Sequence, residues 1–314
     1  MDWFLIYLRG LVMGAADVVP GVSGGTIAFI TGIYDRLLLA LSSLSKEGWK
    51  VLFKEGIKTF WVRQDMTFLV LLGLGVVTSI GLLSHVIKYL LYQHPEALWS
   101  FFFGLIISSG VLMIKAIDRW RLVESVFLLL GIACSAWLSL QVPAQVSPSF
   151  LKIFLAGAVA ICAMVLPGIS GSFILLLLGF YGTVITAIQQ LDLGILSSFL
   201  AGCFIGLFAF VHLVNYFLTH YKAKTFMFLL GLMLGSLIKV WPWKETLSTR
   251  LNSHGEAVPL LQKNIWPAEY QALMPESTGL MACLGLMVLG ALLLGGMEAL
   301  LKPRVSRNGP VSQI

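Results

Sequence analysis

Long apolar runs separated by short polar stretches make up most of the chain. Their lengths are close to the roughly 17–25 residues that a helix needs to cross the hydrocarbon core of a bilayer. Hydrocarbon solvates no backbone polar group, and the runs lack the short alternating pattern of barrel strands. The pattern therefore predicts an all-α polytopic membrane protein. The predicted helical segments lie near residues 3–18, 22–44, 66–92, 97–116, 122–141, 150–166, 170–190, 195–219, 225–241 and 278–301.

The composition agrees with this pattern. Hydrophobic residues make up 58% of the chain and charged residues 11%, and the mean hydropathy is +0.91. A chain of this kind lacks the polar surface that a soluble globule needs. The apolar run at the N-terminus leads directly into a motif described below, so we predict a retained helix and not a signal peptide. We expect neither disulfides nor metal sites from the four cysteines, which lie in apolar segments without CxxC or Cys/His spacing.

One motif is written twice in the chain. Residues 17–34 read DVVPGVSGGTIAFITGIY, and residues 166–181 read LPGISGSFILLLLGFY. The two halves match at an offset of 147 within the motif and just upstream of it, and at an offset of 127 beyond it. We therefore predict one duplicated transmembrane unit, with repeat one at 1–142 and repeat two at 147–302. The matching pairs include Pro20/Pro167, Gly21/Gly168, Ser23/Ser170, Gly24/Gly171, Ile27/Ile174, Gly32/Gly179, Tyr34/Tyr181, His85/His212, Tyr89/Tyr216 and Gly104/Gly231.

Each repeat carries one insertion. Residues 45–65 form a charged, amphipathic stretch in repeat one, which lies either on the cytoplasmic membrane surface or in solvent as a connector. Residues 242–277 are predicted to form an extracytoplasmic loop in repeat two. The first two segments of each repeat either span the membrane or form a re-entrant hairpin, and both alternatives give an odd number of crossings. The second repeat must then enter from the opposite side, so we predict inverted repeats.

The distribution of basic residues predicts the orientation. With the N-terminus inside, the inner loops hold thirteen Lys and Arg residues. The outer loops hold four, which are Lys152, Lys244, Arg250 and Lys263. By the positive-inside rule, both termini are predicted to be cytoplasmic. The net charge of +6 is thus accounted for by topology and gives no indication of nucleic-acid binding.

The repeated motif has the features of an anion site. The helix-breaking Pro20 and Pro167, each followed by glycine, interrupt an apolar run and free backbone groups. Ser23 and Ser170 then stand at N-cap positions, and helix N-termini favour anions. Paired broken helices in inverted repeats form the substrate sites of secondary transporters. The alternative is that the glycines only allow close helix packing. The predicted anion-binding residues are Gly21, Ser23, Gly24, Gly25, Thr26, Arg36, Gly168, Ser170, Gly171 and Ser172.

Charged residues near the first motif suggest further roles. Asp17 precedes Pro20 by three residues, and a carboxylate inside a membrane is usually functional. We predict that it binds a coupling proton or sodium ion, or pairs with Arg36. Arg36 itself is either a phosphate ligand or an interfacial anchor. His85 and His212 each precede a tyrosine by four residues and are either packing groups or parts of a proton relay. Long side chains near segment ends can reach the interface, so we leave Lys88, Lys239 and Glu298 outside the site.

At these motifs the chain resembles the bacterial polyprenyl-phosphate transporter family, PopT, which was first catalogued as a domain of unknown function. The similar stretches are MGAADVVPGVSGGTIAFITGIYDRLL and LPGISGSFILLLLGFYG. The resemblance implies movement of undecaprenyl phosphate, the lipid carrier of cell-wall synthesis, from the outer to the inner leaflet of the cytoplasmic membrane. One departure is that the second copy reads YGT, where the family more often has an acid after the tyrosine, which weakens a paired role for Asp35.

A monophosphate head group and an isoprenoid tail fit the predicted site. The helix ends would bind the head group, Arg36 would close the pocket if it is a phosphate ligand, and a lipid-facing opening would admit the tail. We expect alternating access with ion coupling at Asp17, and membrane phospholipids as neighbours. The sequence contains no GxxxxGK[ST] motif, so we expect neither nucleotide nor other cofactor.

Two other classes of protein remain as alternatives. A channel or carrier for a small anion would use the same helix ends. A GxSG intramembrane serine protease would need a serine paired with a buried histidine, and His85 and His212 are available. The duplication argues against a protease, because it marks neither histidine as a unique base. The expectation from the sequence is a transporter and not an enzyme.

Overall fold

The computed structural model describes residues 3–18, 23–44, 46–115, 121–144, 146–251 and 257–301. These ranges are mostly helical. The helices are α1 (Trp3–Val18), α2 (Gly24–Ile30), α3 (Tyr34–Ser43), α4 (Lys46–Glu55), α5 (Ile57–Arg63), α6 (Met66–Gln93), α7 (Pro95–Lys115), α8 (Leu122–Ser139), α9 (Phe150–Val165), α10 (Gly171–Leu177), α11 (Tyr181–Gln190), α12 (Leu193–His220), α13 (Lys222–Gly235), α14 (Leu237–Val240), α15 (Pro267–Leu273) and α16 (Leu280–Leu301). The strands are β1 (Lys244–Leu251) and β2 (Ala257–Asn264).

Within the described ranges, five stretches are long and apolar enough to cross a membrane. They are Met66–Leu83, Pro95–Lys115, Leu122–Ser139, Leu193–His220 and Lys222–Val240. Two bent helix pairs raise the number to seven if each pair counts as one span. The predicted class of a multi-pass helical membrane protein is therefore confirmed.

The long helices pack in four pairs, and glycine forms the contact in each. Helix α1 packs on α6, and α9 packs on α12. A Cβ at Gly75 of α6 would collide with the carbonyl oxygen of Tyr7, and a Cβ at Gly202 of α12 would collide with that of Phe154. The two glycines, Gly75 and Gly202, occupy matching positions in the two halves of the sequence, and so do Tyr7 and Phe154. The halves therefore repeat a backbone contact as well as a motif.

The other two helix pairs join the first half of the chain to the second. Helix α8 packs on α13, and α7 packs on α16. Gly231 lies against the backbone of Leu128, and its sequence counterpart Gly104 lies against that of Met287. Each half therefore contributes one helix to each of two exchanged pairs, and the two halves form a single interlocked unit.

Each of the predicted segments 22–44 and 170–190 contains a sharp bend. Helices α2 and α3 meet at 117°, and α10 and α11 meet at 107°. The bends lie at Gly32 and Gly179, whose φ angles of +70° and +80° disfavour residues with a side chain. Each of these predicted segments is therefore a bent pair of helices. Gly32 and Gly179 are an identical pair in the repeat, and that pairing was the signal of a second break.

The fold is not entirely helical, which corrects the all-α prediction. Within the 242–277 insertion, β1 and β2 form an antiparallel hairpin with Lys244 opposite Asn264. A small buried cluster of Trp243, Ile265, Tyr270 and Cys283 fixes the base of this hairpin. The phenol of Tyr270 donates to Glu96 on α7 at 3.2 Å, which ties the insertion to the helices.

The 45–65 insertion contains the short helices α4 and α5. Large apolar side chains on them are exposed, including Phe53, Ile57 and Val62, with Val62 81% exposed. Such a surface is typical of an amphipathic segment that lies on a membrane. Its location at the cytoplasmic surface stays a prediction.

Candidate functional site

The two repeated motifs meet in space at the start of α2. The Ser23 hydroxyl accepts a hydrogen bond from the Gly25 amide at 3.1 Å and thereby caps α2. The same hydroxyl donates to the carbonyl oxygen of Met164 at 3.1 Å, near the end of α9. Ser23 therefore joins the first motif to the helix that leads into the second motif. It is 1% exposed.

A second hydrogen bond crosses between the motifs. The Gly168 amide donates to the Thr26 hydroxyl at 2.8 Å, and both partners are buried. A Cβ at Gly25 would collide with the carbonyl oxygens of Met164 and Val165, so glycine is needed for this approach. Ser23, Gly25, Thr26 and Gly168, all predicted site residues, thus form one contact region.

Asp17 contacts the first motif directly. The Gly24 amide donates to its carboxylate at 2.6 Å, and a Cβ at Gly24 would collide with the same carboxylate. A carboxylate is therefore held at the N-terminus of α2, the position at which an anion is expected. Its predicted partner Arg36 binds elsewhere, so the pairing of Asp17 with Arg36 is wrong.

The second motif is built differently from the first. Helix α9 ends at Val165 and α10 begins at Gly171, with Pro167 in the break. The Ser170 and Ser172 hydroxyls lie 2.9 Å apart, and no side chain caps α10. The sequence position that matches Asp17 is occupied by Met164, so the second motif lacks the equivalent carboxylate.

Gly168 and Gly171 need their small size for packing. Gly168 has a φ angle of +83° and lies against the backbone of Leu232, while Gly171 lies against the carbonyl of Ala160. The packing interpretation of these two glycines is therefore supported, and it leaves their role in binding an anion as a prediction. Pro20 and Gly21 lie outside the described residues.

Arg36 forms a bidentate ion pair with Asp65, at the N-cap of α6. Its Nε lies 2.6 Å from one carboxylate oxygen, and its Nη2 lies 3.0 Å from the other. The guanidinium also stacks over the ring of Phe68 at 4.3 Å. This geometry agrees with the anchor interpretation, and a contact between Arg36 and phosphate stays a prediction.

Arg9 is a buried cation that the sequence reasoning did not assign to the site. It lies in α1 and is 6% exposed, and its Nε and Nη1 have no hydrogen-bond partner among the described residues. The positive charge of Arg36, on α3, repels that of Arg9. A charged residue inside a membrane segment is usually functional, and an arginine within the apolar run 3–18 was the available signal.

The two candidate nucleophiles of a protease lack a histidine partner among the described contacts. Ser23 bonds to the backbone, and Ser170 lies against Ser172. The His212 ring is 2.7 Å from the carbonyl oxygen of Phe208 on its own helix. The side chain of His85 lies outside the described residues. The observed serine contacts therefore give no support to nucleophilic catalysis.

Comparison with known proteins agrees with a lipid-phosphate transporter. Residues 13–258 match the family model described as undecaprenyl phosphate translocase-like. The polyprenyl-phosphate transporter of Vibrio cholerae serotype O1 is 46% identical over 298 residues, which cover 95% of this chain and 97% of that protein. The polyprenyl-phosphate transporter of Staphylococcus aureus is 34% identical over 257 residues, which cover 76% of this chain and 86% of that protein. No solved structure matches the chain.

Proposed function

The chain belongs to the undecaprenyl phosphate translocase-like family, and we propose that it moves undecaprenyl phosphate across the bacterial cytoplasmic membrane. Two relatives are named as polyprenyl-phosphate transporters, which agrees with a transporter and not an enzyme. The proposed direction is from the outer to the inner leaflet, which would return the lipid carrier to cell-wall synthesis.

The observation that carries this proposal is the contact between the two motifs. The hydrogen bonds Ser23 to Met164 and Gly168 to Thr26 bring two interrupted helices, one from each half of the chain, to one place. Helix interruptions bring backbone donors and hydroxyls into an apolar chain, which suits a phosphate head group. The buried Arg9 lies in the same half of the chain as Asp17, and its Nε and Nη1 have no hydrogen-bond partner among the described residues.

We propose that Asp17 and the substrate phosphate compete for the same hydrogen-bond donor. The Asp17 carboxylate accepts a hydrogen bond from the Gly24 amide at 2.6 Å, and an arriving phosphate would compete for that amide. Protonation of Asp17 would weaken this bond and remove a negative charge that repels the phosphate. A proton would then accompany each phosphate, while binding of sodium to the carboxylate is the alternative form of coupling.

Inverted repeats give this site a route for alternating access. The matching glycine contacts at Gly75 and Gly202, and again at Gly104 and Gly231, support two structurally equivalent halves. In the proposed topology, the α1–α2 and α9–α10 units are re-entrant hairpins, and both termini are cytoplasmic. Movement of one half against the other would expose the bound phosphate first to one leaflet and then to the other.

Lipid transport in proteoliposomes tests the proposal. The wild type is expected to change the leaflet in which undecaprenyl phosphate is accessible, under either a proton or a sodium gradient. The Ser23→Ala/Ser170→Ala variant is expected to lose this activity while it still inserts and stays monodisperse. The transport activity of Arg36→Ala is measured beside that of Arg63→Ala. Arg63 serves as the control because it forms an exposed ion pair, with Glu55 at 3.1 Å.

Three results would contradict parts of this proposal. A wild type that moves no lipid under either gradient would refute it. Uptake of labelled inorganic phosphate without lipid movement would instead assign the chain to small-anion transport. Equal activity of the serine variant and the wild type would remove the motifs from the mechanism.

A further inference from the structure

A second polar site lies away from the two motifs, between the hairpin and the ends of two membrane helices. This hairpin cavity has a volume of about 320 Å³. It is bounded by β1, β2, the end of α8 and the short helix α14. Its polar lining consists of Ser139, Lys239, Lys244, Gln262, Lys263 and Asn264. Among the described residues, the lining includes three lysines and no carboxylate, so this part of the cavity is cationic.

Lys244 is the most buried charge of this lining. Its Nζ is inaccessible to solvent, has no hydrogen-bond partner among the described residues and lies 3.7 Å above the centre of the Trp99 ring. Burial, followed by the nearby charge of Lys239, lowers the pKa of Lys244 well below its ordinary value. A buried ammonium without a counter-ion is costly, because it has lost its hydration. Lys244 lines the cavity, and its Nζ would gain the missing partner by turning from the Trp99 ring towards an anion bound there.

Lys239 connects the hairpin cavity to the second motif. We expected this lysine to extend to the interface, but its Nζ lies 4.6 Å from the centre of the Phe173 ring in α10. Phe173 follows Ser172 directly. The part of the chain that the structure describes provides no carboxylate ion pair for Lys239 or Lys244, whereas Lys263 lies opposite Glu245 in the hairpin register. Of the two lysines without an ion pair among the described residues, Lys239 contacts α10 and Lys244 contacts Trp99 of α7.

Only the second half of the chain has this arrangement. The position that matches Lys239 in the first half is Leu112, and Lys244 lies in an insertion that the first half lacks. The cationic cavity is therefore a one-sided addition to a duplicated structure. In the predicted topology it lies on the extracytoplasmic side. A one-sided cation pair suits capture of a substrate from one leaflet and not release to both.

We propose that the hairpin cavity is a receiving site for a phosphate monoester, which Lys239 and Lys244 bind before it reaches the second motif. Two ammonium groups match the charge of a phosphate dianion, and the amides of Gln262 and Asn264 add neutral donors. If the phosphate monoester is a lipid, its head group enters the cavity and its polyprenyl tail stays in the membrane, and this part of the proposal rests on the proposed function. Free phosphate is the other source of the same chemistry.

Binding to the full-length protein in detergent micelles tests the site, with farnesyl phosphate as the probe. We expect Lys239→Met/Lys244→Met to weaken binding at least tenfold in equilibrium dialysis. Lys152→Met is the matched control, because Lys152 is an exposed lysine on the same predicted side, and its binding is expected to stay within twofold of the wild type. Binding of farnesol, which lacks the phosphate, is expected to be the same in all three proteins.

The dialysis results can overturn the proposal in two ways. Unchanged farnesyl phosphate binding in the double variant would overturn the receiving site. Equal displacement of the probe by inorganic phosphate and by unlabelled farnesyl phosphate would overturn the assignment to a lipid head group. The double variant removes buried charge, so its melting temperature is expected to match or exceed that of the wild type. Lys239→Gln/Lys244→Gln is the replacement if the Met variant aggregates.

Transport kinetics separate this proposal from the proposed function. With lipid presented on the hairpin side, the double Met variant is expected to raise the apparent KM at least tenfold and to leave the maximal rate unchanged. The Ser23→Ala/Ser170→Ala variant is expected to lower the maximal rate. A wild type without lipid transport contradicts the proposed function, and a working wild type whose KM is insensitive to the lysines contradicts the receiving site.

Discussion

Replacement of Thr26 by valine tests whether the two motifs are held together as described. The Thr26 hydroxyl accepts the Gly168 amide at 2.8 Å, and Thr26 is 1% exposed. Valine keeps the shape of the side chain but leaves the buried amide without a partner. An unsatisfied buried donor costs about 1–3 kcal/mol. At roughly 1.4 kcal/mol for each factor of ten, the equilibrium that frees the amide shifts by about 5–150-fold.

Hydrogen exchange measured by mass spectrometry reports this effect locally. We expect faster exchange in the peptide that contains Gly168 and a lower free energy of unfolding for Thr26→Val. Thr26→Ser keeps the acceptor and is expected to restore both values. Thr31→Val is the matched control, because its hydroxyl donates at 2.7 Å to Ile27 of its own helix and crosses to no other motif.

Equal changes in Gly168 exchange and in the free energy of unfolding for Thr26→Val and Thr31→Val would contradict the hydrogen bond between the motifs. Equal exchange at Gly168 in the wild type and in Thr26→Val would mean that the hydroxyl does not hold the amide. A stability loss in Thr26→Ser as large as that in Thr26→Val would mean that packing, and not the hydrogen bond, determines the effect.

Three further predictions concern packing and charge. Gly202→Ala is expected to destabilise the protein by about 1–3 kcal/mol, because its Cβ meets the Phe154 carbonyl, while Gly73→Ala, in open space, is expected to be tolerated in the same thermal-unfolding series. Asp17→Asn is expected to make lipid transport insensitive to the coupling-ion gradient, and a retained gradient dependence would contradict its role. Arg9→Met is expected to weaken farnesyl phosphate binding about tenfold or more with no fall in melting temperature; lost stability with unchanged binding would make Arg9 purely structural.

The long helices were predictable because each is a local property of the sequence. Apolar length and the interruption at Pro167 determine where a membrane helix begins and ends, and the segments 66–92 and 195–219 match α6 and α12 closely. The Ser23 cap was predictable for the same reason, since serine before an apolar helix is a local signal.

Features that depend on distant partners were not predictable. The bidentate contact of Arg36 with Asp65 joins α3 to the last residue of the 45–65 insertion, and no spacing rule indicates it. The β-hairpin has polar strands that lack a strong alternating pattern, and the insertion that contains it is tied to α7 by the Tyr270–Glu96 hydrogen bond, which forms only in the folded protein. Lys239 was expected to reach the membrane interface because it lies near a segment end, and its contact with Phe173 of α10 was not predictable from that position.

Solid-state NMR would test most directly whether the paired motifs bind the phosphate. Dipolar recoupling between the phosphorus of bound undecaprenyl phosphate and ¹⁵N-labelled glycine amides detects only amides within a few ångströms of the head group. The account predicts dephasing of motif glycines such as Gly24 and Gly171, and loss of that dephasing in Ser23→Ala/Ser170→Ala. Two results would contradict phosphate binding at the motifs. Bound lipid could dephase no motif glycine, or it could dephase the same glycines in the wild type and in the serine variant.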